Sequence, residues 1–235
     1  MLAKLNRDHE VSLKYHTVFI INFIFLPLFV LYQSIRHEYN ILKDLLKDEP
    51  LPRIVGPVSF VSLGPANYIT PSDSAAVLVK NVLLMPVYCA TLNHIPKPME
   101  ESRVLSCGKE LKETLELIHK RGYGHNDIKA ANIFLDSEGR CILGDFGSAQ
   151  RLGVHTNEST PTHWPSQHEK GVLSLLETSK AIDFFLLAVT LLERTGCYEL
   201  NESSPTLLAL QEATARLTHK DLQRFVEDLL SQQAL

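Results

Sequence analysis

Apolar positions along this chain change period several times, and each change marks an element. Residues 11–14, Val-Ser-Leu-Lys, alternate as a short strand does. Residues 18–32 are apolar throughout except for Asn22 and Pro27. From 34 to 46 the period lengthens: Ile35, Tyr39, Leu42 and Leu46 fall at near-helical spacing with charges between them. Ser34 can cap this helix, and Pro50 and Pro52 follow its end. Residues 52–63 predict a strand with a turn at Gly56-Pro57. Residues 80–88 predict a stronger one, because Val82, Leu83, Leu84, Met85 and Val87 are nearly continuously apolar, as in a strand buried on both faces. Residues 64–75, rich in Pro, Ser and Asn, read as a loop.

Beyond a linker at 92–98 with two prolines, the pattern becomes mainly helical. Leu111, Leu115 and Ile118, widened by Leu117, predict a helix over 108–121 that Gly122 ends. Ile133-Phe134-Leu135 and Cys141-Ile142-Leu143-Gly144 read as two short strands. Residues 148–163 are polar and loop-like. Residues 181–193 are apolar almost all round, which predicts a buried helix, and the acid near its start, Asp183, has to be paired to be buried at tolerable cost. Two amphipathic helices follow over 205–217 and 218–230. Thr218 with Asp221 resembles a capping box, and Leu222, Phe225, Val226 and Leu229 form one stripe. The expected class is α+β, with a strand-rich first part and a helical second part.

Composition narrows the partners. With 45% hydrophobic and 21% charged residues the chain is globular. Lys plus Arg is 23 against 27 for Asp plus Glu, and no basic run occurs, so no nucleic-acid partner is expected. The four cysteines are widely spaced without a Cys-x-x-Cys pair, which argues against structural zinc and for a reducing compartment, hence a cytoplasmic location. The stretch 18–32 falls short of the roughly 20 apolar residues of a spanning helix and contains a helix breaker. It reads first as a buried insert, second as a membrane anchor and third as translated non-coding sequence. Nothing in the sequence bears on oligomeric state.

The chemistry centres on His125-Asn126-Asp127-Ile128-Lys129-Ala130-Ala131-Asn132, followed by Asp145-Phe146-Gly147. One short loop carries an Asp, a Lys and an Asn, and a second Asp returns after a hairpin. Phosphoryl transfer needs that set: a carboxylate for the attacking hydroxyl, an amide and a carboxylate for magnesium, and an ammonium for the moving charge. The order and spacing resemble H-R-D-x-K-x-x-N and D-F-G of the eukaryotic protein kinase family, serine/threonine type. The resemblance implies a two-lobed fold, with residues 1–91 as a reduced first lobe containing the insert 18–32, and 92–235 as the second. It implies ATP and Mg2+ as cofactors. Asp127 matches the catalytic base, Lys129 the serine/threonine-type lysine, and Asn132 and Asp145 the metal ligands.

Other roles are implied by the same resemblance. Lys14 matches the phosphate-contacting lysine of the V-A-I-K strand, although the four residues also fit a solvated strand. Glu38 matches the glutamate that pairs with it, or is one more charge on a wet helix face, and Leu42 the link to His125 and Phe146. Met85, Pro86, Val87 and Tyr88 match the hinge at the adenine, with Phe134 also on the nucleotide side. His125 would pack on Phe146, Gly147 completes the turn, and Asp183 would accept hydrogen bonds from the catalytic-loop backbone. Residues 159–167 resemble G-T-P-x-Y-x-A-P-E loosely, or are an ordinary turn-rich loop; in the first case Thr160 would bond to Asp127 and Lys129.

Four departures qualify the match. No G-x-G-x-x-G precedes Val11, which implies a fragment or a lost element and weaker ATP binding. Asn126 replaces the Arg that meets a phosphorylated activation loop. Gln167 replaces a Glu of a buried ion pair. Phe185 and Ala188 stand near the places of a Trp and a Gly. The expected function is transfer of the ATP γ-phosphoryl to Ser or Thr of a protein substrate, since Lys129 and Thr160-Pro161 tilt away from small-molecule kinases. The alternatives are a pseudokinase acting as a binding module and a membrane-tethered interaction protein.

Overall fold

The computed structural model describes residues 28–47, 51–56, 58–62, 68–69, 77–78, 81–155, 162–165, 177–201 and 204–232. Lys14, most of the apolar stretch 18–32, Thr160 and Gln167 lie outside them. Helix α1 spans Leu28–Leu45 and so starts six residues before the expected cap Ser34. The helix breaker Pro27 directly precedes Leu28 in sequence, and no breaker lies between 28 and 34. The last five residues of the expected insert therefore belong to this helix. Among the described side chains of α1, over 35–45, those buried are Glu38, Ile41, Leu42 and Leu45, one stripe at helical spacing. Glu38 stands on the core face of the helix and not on a wet one.

The strands are shorter than the pattern predicts. β1 (Ser59–Ser62) and β4 (Asn81–Leu84) pair antiparallel with Phe60 opposite Leu83. Between them, β2 (Tyr68–Ile69) and β3 (Val77–Leu78) form a small hairpin, the first of them inside the segment expected to be loop. Residues 53–55 leave the line of β1: Leu143 donates its amide to the Arg53 carbonyl at 2.8 Å and Val55 donates to Leu143 at 2.9 Å. This attachment uses a left-handed Arg53, φ 61°, which breaks the expected strand. β5 (Ala90–Thr91), β7 (Ile133–Leu135) and β8 (Cys141–Leu143) form a three-stranded sheet, and β6 (Tyr123–Gly124) pairs with β9 (Gln150–Arg151).

Helix α2 runs Glu101–Lys120, beginning seven residues before the predicted start at Gly108. Val104, Leu111, Leu115 and Ile118 extend one buried stripe through it. A Cβ at Gly108 would lie 2.8 Å from Leu191 Cδ1 and 2.9 Å from Phe225 Cε1. The glycine is an internal contact point that lets α2 approach α3 (Lys180–Arg194) and α5 (Lys220–Ser231), not a helix boundary. α4 (Leu207–Ala215) packs on α3 and α5. The α5 cap is His219, whose ring accepts the Leu222 amide, so the Thr218–Asp221 capping box is not formed. The Thr218 amide and hydroxyl instead donate to Glu101 at the start of α2.

Cys107 on α2 and Cys141 on β8 form a disulfide with Cα atoms 5.7 Å apart. Packing of helix on strand joins positions 34 residues apart, which spacing alone does not reveal. Among the described residues no helix is long and apolar enough to cross a membrane.

Candidate active site

The polar loop between β6 and β7 is held from below by α3. Asp183, fully buried in the first turn of α3, accepts the amides of His125 at 2.9 Å and Asn126 at 2.8 Å. Its Oδ2 also lies 2.7 Å from His119 Nε2 on α2. The Thr190 hydroxyl, two turns along α3, donates to the Ile128 carbonyl at 3.1 Å. An acid in an apolar helix survives burial because three donors converge on it.

Asn126 adopts φ 66°, a region in which Asn is tolerated far better than most residues. Its Nδ2 donates to the Ser148 carbonyl and to Thr178 Oγ1, both at 3.0 Å. Its carbonyl accepts the indole N–H of Trp164 at 3.2 Å. One neutral side chain and its backbone thus join the loop to residues 148, 164 and 178.

At the centre, Asp127 Oδ2 accepts Lys129 Nζ at 2.7 Å and Asn132 Nδ2 at 2.9 Å. Asn132 Nδ2 also donates to the Asp127 carbonyl at 2.9 Å. Two acceptors on the nitrogen fix the orientation of the Asn132 amide and leave its oxygen outside this pair of bonds. The Gly144 amide donates to the Asn132 carbonyl at 2.9 Å, and β7 and β8 pair in register with Ile133 opposite Leu143. Asn132 and Asp145 therefore sit at neighbouring ends of one hairpin.

Asp145 is exposed, takes φ 60° and accepts the Gly147 amide at 3.4 Å. A Cβ on Gly144 would come within 2.5 Å of the Phe134 ring and 2.7 Å of Val55, so the glycine permits this close turn. His125 Nε2 bonds to the Gly144 carbonyl at 3.1 Å, and its ring meets buried Phe146 edge-on at 4.8 Å.

α1 reaches the same turn. Glu38 Oε1 accepts the Phe146 amide at 3.1 Å, and His37 Nε2 bonds to the Ala149 carbonyl at 2.7 Å. Burial first, and then the nearby Asp145 charge, push the Glu38 carboxyl up to about 7, partly offset by the Phe146 amide. Among the described residues no Lys or Arg forms an ion pair with Glu38. Residues 85–88 leave β4 as irregular chain with Val87 exposed. Tyr88 accepts the Gly56 amide at 3.3 Å and lies 5.3 Å from the Phe134 ring, so it rests beside the β7 hairpin.

Sequence reasoning passed over three contributors. His119 could have been found as the polar residue beside Ile118 on the buried face of α2, since Asp183 needed a partner. Trp164 is the chain's one tryptophan, set in a polar segment. His163 is buried and faces Asp127 and Lys129: burial pushes its ring down, while Asp127 pulls it up and Lys129 opposes that. Spacing gave no signal for it.

The donor set suits a hard divalent cation. The Asn132 amide and the Asp145 carboxylate offer oxygen donors at one hairpin end and could hold Mg2+, which takes few protein oxygens and completes its shell with water and phosphate. Among the described residues no cluster of three His, Cys, Asp or Glu exists.

Comparison with known proteins agrees with this geometry. The family model described as "Protein kinase domain" matches residues 33–231. The serine/threonine-protein kinase ArnS of Sulfolobus acidocaldarius is 33% identical over 99 residues, 35% of this chain and 16% of that protein. The serine/threonine-protein kinase US3 homolog of Gallid herpesvirus 2 is 33% identical over 97 residues, covering 40% of this chain and 24% of that one. The serine/threonine-protein kinase mos of Gymnogyps californianus is 43% identical over 61 residues, covering 26% and 30%. The matched stretch spans less than a third of each relative's length.

Proposed function

This chain belongs to the protein kinase domain family, and on that premise we propose that it transfers the γ-phosphoryl of ATP to Ser or Thr hydroxyls of a protein substrate. The observation that carries the proposal is the Asp127 carboxylate, held at once by Lys129 and Asn132. Asp127 orients the attacking hydroxyl and takes up its proton as the oxygen bonds to the γ-phosphorus. The bond to the β-phosphate breaks and ADP leaves. Lys129 neutralises charge that develops on the phosphoryl group. Asn132 and Asp145 would hold Mg2+, which supplies charge neutralisation on the phosphates when bound. Residues 85–88 and Phe134 would flank the adenine, and Glu38 keeps the Asp145 turn seated through the Phe146 amide. The relatives named as serine/threonine kinases support the choice of hydroxyl.

Incubation of the purified chain with labelled ATP and a mixed Ser/Thr peptide library tests this. Label transfer is expected, and Asp127→Ala and Asp145→Ala are expected to reduce it to background. Nucleotide binding with no transfer above those variants would replace the reading with that of a pseudokinase.

A further inference from the structure

The last turn of α1 is gripped from three elements. Asp44 Oδ2 accepts the Tyr123 hydroxyl of β6 at 2.7 Å and Arg151 Nη2 of β9 at 3.0 Å. The Arg151 guanidinium lies 4.1 Å over the Tyr123 ring, and its Nη1 donates to the Arg121 carbonyl at 3.3 Å. Arg121, just past α2, donates to the Leu45 carbonyl, one of the carbonyls a helix end leaves without an internal partner.

An aspartate in a final helical turn is intrinsically unfavourable, since it faces the negative end of the helix dipole. Asp44 is therefore explained by its tertiary partners and not by the helix. Arg151 and Asp44 are 57% and 44% exposed, and an exposed ion pair alone is worth little. Here the pair is tied to a buried tyrosine by a hydrogen bond and a stacked cation. Burial and the bond to Asp44 push the Tyr123 hydroxyl up to about 12, against the pull of Arg151, so it remains a donor.

The segment leaving Asp145 therefore meets α1 along its second half: Phe146 at Glu38, Ala149 at His37 and Arg151 at Asp44. Glu38 and Asp44 are six residues apart, about 9 Å along a rigid helix. We infer that Arg151 is a positioning residue of the proposed phosphotransfer site. Through Asp44 and Tyr123 it seats α1 along residues 146–151 and so keeps Glu38 on the Phe146 amide beside Asp145. The inference rests on the proposed function for its kinetic consequence, but not for its structural one.

Amide hydrogen exchange on the full chain tests it. Arg151→Met and Asp44→Asn are each expected to speed exchange about three- to tenfold over residues 41–46 and also over 146–149. Exchange in α3 should not change, which establishes that the fold is intact. Arg151→Lys, which keeps charge but loses the planar stack, should fall between. The exchanged pair Asp44→Arg with Arg151→Asp should recover at least half of the protection, and Arg140→Met should change none of these segments. In the phosphotransfer assay kcat/KM should fall and recover in step. Faster exchange confined to 41–46, or no recovery in the exchanged pair, overturns the inference. Absence of transfer in the wild-type chain sinks the proposed function, while the exchange data still decide this point.

Discussion

Glu38 and Phe146 stand 108 positions apart in sequence and are joined by one hydrogen bond of 3.1 Å, carboxylate to amide, in a buried setting. Burial of Glu38 and the nearby Asp145 charge, opposed by this bond, set how the protein responds to pH. The native chain holds the Glu38 proton to about pH 7, whereas the unfolded chain releases it near the ordinary value of 4.5. Between the two the native state binds more protons, so stability is greatest below pH 4.5 and is lost as pH rises through 7. The loss is of order 3 kcal/mol. Urea denaturation from pH 5 to 8 should show the slope in wild type and its absence in Glu38→Gln. Parallel curves for the two proteins would refute it.

Asp183 holds the loop that carries Asp127. Its replacement by Ala strands the His125 and Asn126 amides and the His119 ring in the interior. The expected loss is about 3–5 kcal/mol, read as a lower denaturation midpoint. A loss under about 1 kcal/mol would show that water replaces the carboxylate at little cost.

Asn126 contains no charge with which to meet a phosphate, and its amide is already engaged by Ser148 and Thr178. Transfer activity is therefore expected to be insensitive to phosphorylation through this contact. Thr156→Ala and Ser159→Ala, and their Glu counterparts, should leave the rate within about twofold, well under the 1.4 kcal/mol that a tenfold change represents. A shift of orders of magnitude in either would contradict this. Asn126→Ala, by contrast, meets an unfavourable positive φ and loses both bonds, and should cost about 2–3 kcal/mol.

Gly144→Ala puts a methyl group where Phe134 and Val55 already stand, at 2.5 and 2.7 Å. Because a packed aromatic ring and a buried branched side chain must give way, about 1–3 kcal/mol of stability should be lost. Label transfer should fall further than stability does, since Asp145 is the next residue. Equal transfer per folded molecule would show that the turn tolerates the shift.

Short-range chemistry was readable before any coordinates. The order Asp127, Lys129, Asn132 and then Asp145 is a matter of local spacing around one hairpin, and the largely apolar run of α3 demands burial wherever it is placed. Membership of the kinase family follows from such local strings. Boundaries were less legible, because Gly108 reads as a helix start in a local window and becomes a helix-packing contact only when Leu191 and Phe225 arrive. Thr218 likewise reads as a cap until Glu101 takes its hydrogen bonds.

What the sequence by itself determined is the set of reactive groups and the periodicity that places them on a turn, a hairpin and a buried helix. Tertiary structure alone decided which distant groups meet: Cys107 with Cys141, His119 with Asp183, Trp164 with Asn126, and Asp44 with Arg151 and Tyr123. The physical reason is range. Periodicity and propensity act between residues a few positions apart, whereas these contacts exist only after separate elements pack their apolar faces and bring polar groups into a shared, poorly solvated interior.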